Sequence, residues 1–391
     1  MEQIFRGGVL GTPEGLYRAE LGVSGGKIVA IGESLPSDGA EVVELGGKLL
    51  LPGAIDGHTH LATASCSTVS SDDYYTGTRA AACGGTTTVF DYILQNKGEP
   101  LPDSFRRRNA LAAPDAAVDY AFHIGVSDLS TPELLASMKD VLSDGVSTFK
   151  AYMVYSFGLD DGALYRALRF SAQIGAMIQV HAENRYVIDE RVAQYLAQGK
   201  TSPWWHYQSR DELVEGEADQ RAIALARMAE APLYLVHLAD EEGMAAVRRA
   251  RGEGYPVFAE TCPQYLHFTS EVYRQGSRPQ DFICSPPIKN QRSQEAIWAG
   301  IQSGDISTLA TDHCPFTRAE KDWCLTQADG TPGSFATTPN GCDGIETMYP
   351  YLLAQANAGR ISFAKALGLC CQNPAKLFGV DDRKGALRVG L

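Results

Sequence analysis

Residues 147–183, STFKAYMVYSFGLDDGALYRALRFSAQIGAMIQVHAE, contain the pattern that decides the fold. STFKAYM and AMIQVHAE are short runs rich in apolar residues. Between them, DGALYRALRFSAQIG places its apolar residues at helical spacing. A strand, a helix and a second strand in this order are typical of a parallel sheet. The segment therefore predicts parallel strands that are covered by helices.

The same alternation recurs along the chain after residue 50. Eight strands alternating with helices predict the α/β class and a (β/α)8 TIM barrel, whose active site lies at the C-terminal ends of the strands. The eight apolar runs are LLLPGAID (49–56), TTTVFDYI (86–93), AVDYAFHIGV (117–126), STFKAYM (147–153), AMIQVHAE (176–183), PLYLVHLA (232–239), PVFAETCP (256–263) and STLATDHCP (307–315). Long polar or irregular stretches at 185–212, 264–291 and 316–343 predict functional loops.

The two ends of the chain differ from this middle region. Residues 1–50 contain short apolar runs punctuated by glycine, which predict strands of a small sheet. The barrel is then expected at 51–380. Residues 381–391 include KGALRVGL, which indicates the start of another strand, so we expect a final sheet that is cut short.

The composition narrows the class of protein. The chain has 391 residues, and its 34 Lys and Arg against 47 Asp and Glu give a net charge of −13. An acidic surface repels phosphate, which argues against nucleic acid and anionic membranes as partners. No stretch approaches the roughly 18 apolar residues of a membrane span. The nine cysteines are odd in number and form no CxxC pair, which predicts reduced thiols in a cytoplasmic protein.

Polar side chains gather at the ends of the predicted barrel strands. His58 and His60 follow the first strand and point to one face, because side chains in an extended segment repeat every two residues. His181 and His237 end the fifth and sixth strands, and Asp312 ends the eighth. A single such histidine is more often a hydrogen-bonded core residue. Four at one end of a barrel predict a site for Zn²⁺ or a similar ion.

Lys150 lies inside the fourth predicted strand, where burying an ammonium group is costly. Three interpretations compete. The lysine could pair with a carboxylate, form a Schiff base with a carbonyl substrate, or be carboxylated by CO₂ and bridge two metal ions. Four histidines and one aspartate favour the third interpretation, because a bridging anion would complete the ligand set.

The chain resembles the cyclic amidohydrolases of the amidohydrolase superfamily, and specifically their dihydropyrimidinase/hydantoinase branch, which includes D-hydantoinases and phenylhydantoinases. The resemblance runs from about residue 4 to the last residue. The motifs that carry it are GAIDGHTHL, DDYYTGTRAAACGGTTTVFDY, FKAYMVY, VHAEN, VHLA, ETCPQYL, CSPPIK, ATDHCPF and PNGCDGIE. It implies that a small β-sandwich flanks the barrel. Residues 1–50 would form half of this sandwich, and 381–391 would begin the other half.

The resemblance also implies a ligand set. His58, His60 and Asp312 would bind one divalent ion, and His181 and His237 would bind a second. Carboxylated Lys150 would bridge the two. Zn²⁺ is the first expectation for both ions, and Mn²⁺ or Co²⁺ fit the same ligands.

The activity that the resemblance implies is hydrolysis of a C–N bond in hydantoins or dihydropyrimidines, which gives N-carbamoyl amino acids. A metal-bridging hydroxide would be the nucleophile, and Asp312 would carry its proton to the leaving nitrogen. Tyr155 would stabilise the oxyanion. Ser285 and Asn340 would hold the ring amide through backbone groups.

The substrate and the partners follow from the same comparison. Dihydroorotase relatives carry an arginine shortly after the HxH pair, where this chain has Leu61 and Ala62, which disfavours an anionic substrate. Leu61, Leu94, Met153 and Phe157 predict an apolar pocket for hydrophobic or aromatic 5-substituents. Allantoinase, a non-catalytic adaptor relative and a Schiff-base lyase using Lys150 are the alternatives. A homo-oligomer, tetramer or dimer, is expected from the resemblance.

Overall fold

The N-terminal strands form two small sheets that pack face to face. One sheet has the strand order β5-β4-β1-β6 and the other β3-β2-β7. Leu10 and Leu50 of the smaller sheet share an apolar cluster with Leu21 and Ile28 of the larger one. The strands are β1 (Gln3–Arg6), β2 (Val9–Thr12), β3 (Gly15–Arg18), β4 (Glu20–Ser24), β5 (Lys27–Gly32), β6 (Glu41–Glu44) and β7 (Leu49–Leu50).

Eight parallel strands form the centre of the molecule, which the computed structural model describes at residues 1–65 and 68–391. They pair in chain order, and a bridge between Thr59 and His313 joins the first strand to the segment after the last. The predicted (β/α)8 barrel is therefore confirmed. The strands are β8 (Ala54–Thr59), β11 (Thr86–Leu94), β12 (Asp119–Val126), β13 (Thr148–Tyr152), β14 (Met177–His181), β15 (Leu233–Leu235), β16 (Val257–Thr261) and β17 (Thr308–Leu309). A hairpin, β9 (Ala64–Ser65) and β10 (Thr68–Val69), follows β8.

Helices cover the outside of the barrel. Most begin at a side-chain N-cap, such as Asp160 before α4 or Asn290 before α11, whose oxygen accepts an otherwise unpaired backbone N–H. They are α1 (Tyr74–Cys83), α2 (Leu101–Ala112), α3 (Pro132–Asp140), α4 (Asp161–Gln173), α5 (Arg185–Ala197), α6 (Trp204–Ser209), α7 (Glu212–Met228), α8 (Glu241–Gly252), α9 (Pro263–His267), α10 (Val272–Gln275), α11 (Gln291–Ser303), α12 (Arg318–Lys321), α13 (Met348–Asn357), α14 (Phe363–Leu367) and α15 (Asn373–Leu377). Among the described residues, no helix is long and apolar enough to cross a membrane.

Two details of the predicted element boundaries were wrong. The run 49–56 is not one strand: Leu49–Leu50 pairs with β2 in the small sheet, and the barrel strand extends to Thr59. The stretch 185–212 is not irregular, because it contains α5 and α6. Helix α5 buries only Ile188 among its residues, so the apolar periodicity that reveals other helices is absent from it.

The chain ends lie against the small sheets. Residues 381–391 form turns, and the N–H of Gly390 donates to the carbonyl of Ile28 at 2.8 Å. The domain boundaries at residues 50 and 380 stay predictions. The predicted reduced thiol of Cys66 lies outside the described residues, and the other eight cysteines are free.

Candidate metal centre and catalytic cavity

Two histidines and an aspartate meet at the end of β8. His58 is within the strand and His60 follows it, and their Nε2 atoms lie 3.3 Å apart. Oδ1 of Asp312 is 3.0 Å from Nε2 of His58 and 3.2 Å from Nε2 of His60. The three side chains present one nitrogen or oxygen ligand atom each to a common point.

A second pair of histidines adjoins the first. His181 is the last residue of β14, and His237 follows β15 by two residues. Nδ1 of His181 and Nε2 of His237 lie 3.0 Å apart, and the rings of His237 and His58 are 5.4 Å apart. The four histidines, predicted at the ends of three strands, therefore form one cluster, because parallel strands end at the same side of the barrel.

Lys150 reaches this cluster from β13. Its Nζ lies 2.8 Å from Nε2 of His58 and 4.2 Å from the ring centre of Tyr92, and the residue is 1% exposed. Within the described part of the chain no carboxylate lies within ion-pair distance of the ammonium group, so the ion-pair interpretation was wrong. Burial lowers the pKa of Lys150 to about 8.

Two buried carboxylates orient the imidazoles from behind. Nδ1–H of His58 donates to Glu260 at 2.7 Å, and Nε2–H of His181 donates to Glu183 at 2.7 Å. Each bond leaves the other ring nitrogen, with its lone pair, facing the cluster. The sequence analysis missed both acids. Their signal was a charged residue within an apolar strand run, which is costly unless it is paired.

The electrostatics of His60, His237 and Asp312 favour metal ligation. Burial lowers the pKa of His60 to about 4 and that of His237 well below its usual range, so these imidazoles are neutral at pH 7. Burial alone would raise the pKa of Asp312, but His58 and His60 bring it well below its usual range. Neutral imidazoles and an ionised carboxylate are the ligand forms that Zn²⁺ and similar ions bind.

The backbone is strained at three site residues. Asp312, His237 and Tyr155 have φ angles of 52°, 41° and 68°, in the left-handed region that non-glycine residues seldom occupy. Such conformations cost about 1–3 kcal/mol each and cluster at functional sites. The strain therefore marks the same residues that the sequence predicts for catalysis.

A cavity of about 270 Å³ opens beside the cluster. Its lining includes His60, Lys150, His181, His237 and Asp312, together with Thr63, Ala64, Tyr92, Leu94, Tyr152, Tyr155, Phe157, Ser285, Cys314, Asn340 and Gly341. Leu94 and Phe157 form part of the wall as predicted. Leu61 and Met153 do not, because both are buried in the core between barrel and helices.

The predicted substrate-binding residues lie together at this cavity. Nδ2 of Asn340 donates to Oγ of Ser285 at 3.1 Å, which ties two distant chain segments. Gly341 follows with a φ of 154°, and a Cβ there would lie 2.2 Å from the carbonyl oxygen of Cys314, so only glycine fits. The ring of Tyr155 lies 5.5 Å from that of His181, and burial raises the pKa of its phenol.

A parallel barrel with a cluster of four imidazoles, a lysine and a carboxylate beside a cavity is typical of metal-dependent barrel hydrolases. The amidohydrolase family matches residues 49–391. The chain belongs to the amidohydrolase family, whose members are metal-dependent.

Three known proteins show where in the family the similarity lies. A D-hydantoinase of Streptomyces coelicolor is 37% identical over 396 residues, covering 99% of this chain and 83% of its own length. A D-phenylhydantoinase of Escherichia coli is 36% identical over 394 residues, covering 100% and 84%. The structure of a dihydropyrimidinase from Brevibacillus agri has a TM-score of 0.95 at 36% identity, covering 100% of this chain and 84% of that one. The resemblance to the dihydropyrimidinase/hydantoinase branch is confirmed.

Proposed function

We propose that this chain hydrolyses the ring amide of hydantoins or dihydropyrimidines and releases N-carbamoyl amino acids. The observation that carries the proposal is that His60, His181, His237, Lys150 and Asp312 line one cavity, while buried His58 contacts His60 and Lys150 from behind. The relatives named D-hydantoinase and D-phenylhydantoinase, similar over nearly the whole chain, support the same substrate class.

The ligand set would hold two divalent ions, with Zn²⁺ first and Mn²⁺ or Co²⁺ able to take its place. His58, His60 and Asp312 would hold one ion, and His181 and His237 the other. Divalent ions, when bound, acidify a water molecule and polarise the amide carbonyl.

Lys150 would be shared between the two ions after carboxylation. Its uncharged amine would form an N–C bond to CO₂ and release one proton, which leaves a carbamate anion. The pKa of about 8 supports this step, because an ordinary lysine is almost wholly protonated at neutral pH.

Three residues of the chain would perform the proton transfers and hold the substrate. Ionised Asp312 would take a proton from the attacking water and give it to the leaving ring nitrogen. Tyr155, whose raised pKa keeps the phenol protonated, would donate to the carbonyl oxygen as negative charge develops there. The segments of Ser285 and Asn340 would bind the ring amide through their backbone groups.

The cavity wall favours an apolar ring substituent. Leu94, Phe157 and Tyr152 line it, and the rings of Tyr152 and Phe157 lie 5.2 Å apart. Aromatic side chains offer a large apolar surface to a planar group. We therefore expect 5-phenylhydantoin to be a good substrate.

The test is a substrate panel on metal-loaded protein: dihydrouracil, hydantoin, 5-phenylhydantoin, allantoin and dihydroorotate. Hydantoins or dihydrouracil should be turned over fastest. Faster hydrolysis of allantoin would instead identify an allantoinase, and no turnover at full metal content would favour a non-catalytic adaptor. A covalent adduct trapped by borohydride on Lys150 would establish the Schiff-base alternative.

Asp312→Asn should keep the fold and lose about 10²–10⁴-fold in kcat, because general acid–base groups contribute this much. Circular dichroism and metal content control for structure. An unchanged rate would remove Asp312 as proton carrier.

The assembly and location expected from the sequence remain separate predictions. Light scattering of the purified chain checks the homodimer or homotetramer, and cell fractionation checks the cytoplasmic location.

A further inference from the structure

A second cavity of about 430 Å³ lies beside the catalytic one. The two cavities share Asn340 in their walls. Helix α5 forms one side of the second cavity through Ile188 and Val192, and Phe335 and Ala336 form another. Nothing in the proposed hydrolysis uses this space.

Arg210 contributes a guanidinium group to the lining of the second cavity. Its side chain is 10% exposed, and Nη1 donates to Oε2 of Glu183 at 2.7 Å. Among the described residues, Glu183 is the one hydrogen-bond acceptor for this guanidinium group. An arginine has five N–H donors and this one lines the cavity, so donors are left for a ligand.

Two other polar side chains of the cavity, His206 and Asp189, already have partners. Nε2 of His206 is hydrogen-bonded to the carbonyl oxygen of Cys284 at 2.7 Å. Asp189, the acidic residue of the rim, pairs with Arg185 at 3.3 Å and is largely exposed to solvent. The rest of the wall is mainly apolar. A ligand that fits has an anionic group for Arg210 and an apolar group for Ile188 and Phe335.

We propose that this cavity binds a small carboxylate with an apolar substituent, and that the N-carbamoyl amino acid product is its ligand. The identity of the ligand rests on the proposed function, because ring opening turns a substrate without a carboxylate into a product with one. A planar carboxylate matches the fork of the arginine donors.

Binding at this site would slow turnover through Asn340. Oδ1 of Asn340 is buried and, in the described part of the chain, has no hydrogen-bond partner, so it can accept a hydrogen bond from a neighbouring ligand. A product molecule beside Asn340 would alter the segment that is proposed to hold the substrate ring. The product should then inhibit from a site other than the one it leaves.

Two substitutions close the cavity without touching the catalytic residues. Ala336→Trp and Ala193→Trp place an indole into it from different segments, and both positions are exposed enough to accept the larger side chain. Ala336→Ser and Ala193→Ser are the matched controls that leave the cavity open. The probes are N-carbamoyl-phenylglycine and its uncharged amide.

Isothermal titration of the metal-loaded chain should find two sites for N-carbamoyl-phenylglycine, and each tryptophan variant should retain one. Product inhibition against 5-phenylhydantoin should be mixed in the parent chain and its serine variants, and competitive in the tryptophan variants with kcat and KM unchanged. The amide should bind the second site at least about tenfold more weakly, because it lacks the negative charge that strengthens hydrogen bonds from a guanidinium group.

A single site in the parent chain, an intact second site in both tryptophan variants, or equal affinity for the amide would overturn the proposal. Failure of the proposed function is distinct: the chain would then turn over no cyclic amide, while titration would still report a carboxylate site that the tryptophan variants lose.

Discussion

The molecule contains two buried clusters of ionisable side chains that are similar in geometry and differ in their surroundings. The catalytic cluster centres on His58, His60 and Asp312, and the acid cluster consists of Glu215, Asp219 and Asp240. In each, three potential ligand atoms lie within 4.8 Å of one another. By proximity alone, both would count as metal sites.

The difference lies in what the side chains are already doing. In the acid cluster, Oε2 of Glu215 lies 3.2 Å from Nζ of Lys289, and Oδ1 of Asp240 caps helix α8 by accepting from the N–H of Gly243. Neither these residues nor Asp219 line the catalytic cavity. Its carboxylates therefore hold helices together.

The two clusters also differ in protonation. Burial raises the pKa of Asp240 to about 6 and those of Glu215 and Asp219 well above their usual range. Protonation, together with the positive charge of Lys289, therefore neutralises the acid cluster. Asp312 instead stays ionised, because imidazoles face it. The candidate metal centre is therefore distinguished by an ionised carboxylate and by access from the cavity, whereas closeness of acids alone is insufficient.

The largest effect is expected from the lysine of the catalytic cluster. Lys150→Ala should lose most of the bound metal and at least about 10³-fold in activity, because metal ions supply several kcal/mol of transition-state stabilisation. Short carboxylic acids should restore part of both. Elemental analysis and turnover measure the loss, and full activity in the variant would refute the bridging role.

Lys289, the lysine that contacts the acid cluster, should affect stability and leave metal content unchanged. Lys289→Met leaves buried carboxylates unpaired, so the free energy of unfolding should fall by about 3–5 kcal/mol. The metal content of the folded fraction should not change. Urea denaturation and elemental analysis test this. A loss of metal at unchanged stability would contradict the assignment of a purely structural role to the acid cluster.

A matched pair of isosteric changes sharpens the comparison. Glu260→Gln removes the charge behind His58 and should weaken metal affinity about 10–100-fold, as is typical for such supporting residues. Glu215→Gln makes the same substitution in the acid cluster and should leave metal affinity unaltered. Competition with a chelator measures both, and equal effects would contradict the assignment.

The smallest effect concerns pH. A carboxyl group with a raised pKa in the folded state stabilises the protein below its unfolded pKa of about 3.9, and this contribution is lost as the pH rises through the folded value near 6. When the pH rises from 5 to 7.5, the free energy of unfolding should therefore fall by on the order of 1–2 kcal/mol less in Asp240→Asn than in the parent chain. Urea unfolding at several pH values measures this, and an equal change of the free energy of unfolding with pH in both proteins would contradict the prediction.

Much of the barrel was predictable because its signals are local. Strand β14 coincides with the run AMIQVHAE, and His181 ends it, since a polar residue closing an apolar run is visible without any partner. The split of 49–56 was not visible. Leu49 and Leu50 are as apolar as a barrel strand, and only their pairing with β2 assigns them to the small sheet.

The catalytic site shows the same division. The side chains that gather at the site could be predicted, but Leu61 and Met153 are buried in the core, away from the cavity. Side-chain direction at a strand end depends on the backbone there. Ala62, next to Leu61, has a φ angle of 47°, a backbone conformation that the residue type does not predict.

By itself, the sequence determined the parallel barrel and the side chains gathered at one end of it, because period and polarity are properties of neighbouring residues and parallel strands share a direction. The tertiary structure alone decided which imidazole nitrogens face the cavity, since Glu260 reaches His58 from 202 residues away. It also decided that Arg210 borders a second cavity. Such contacts arise from packing between distant segments, which no local pattern records.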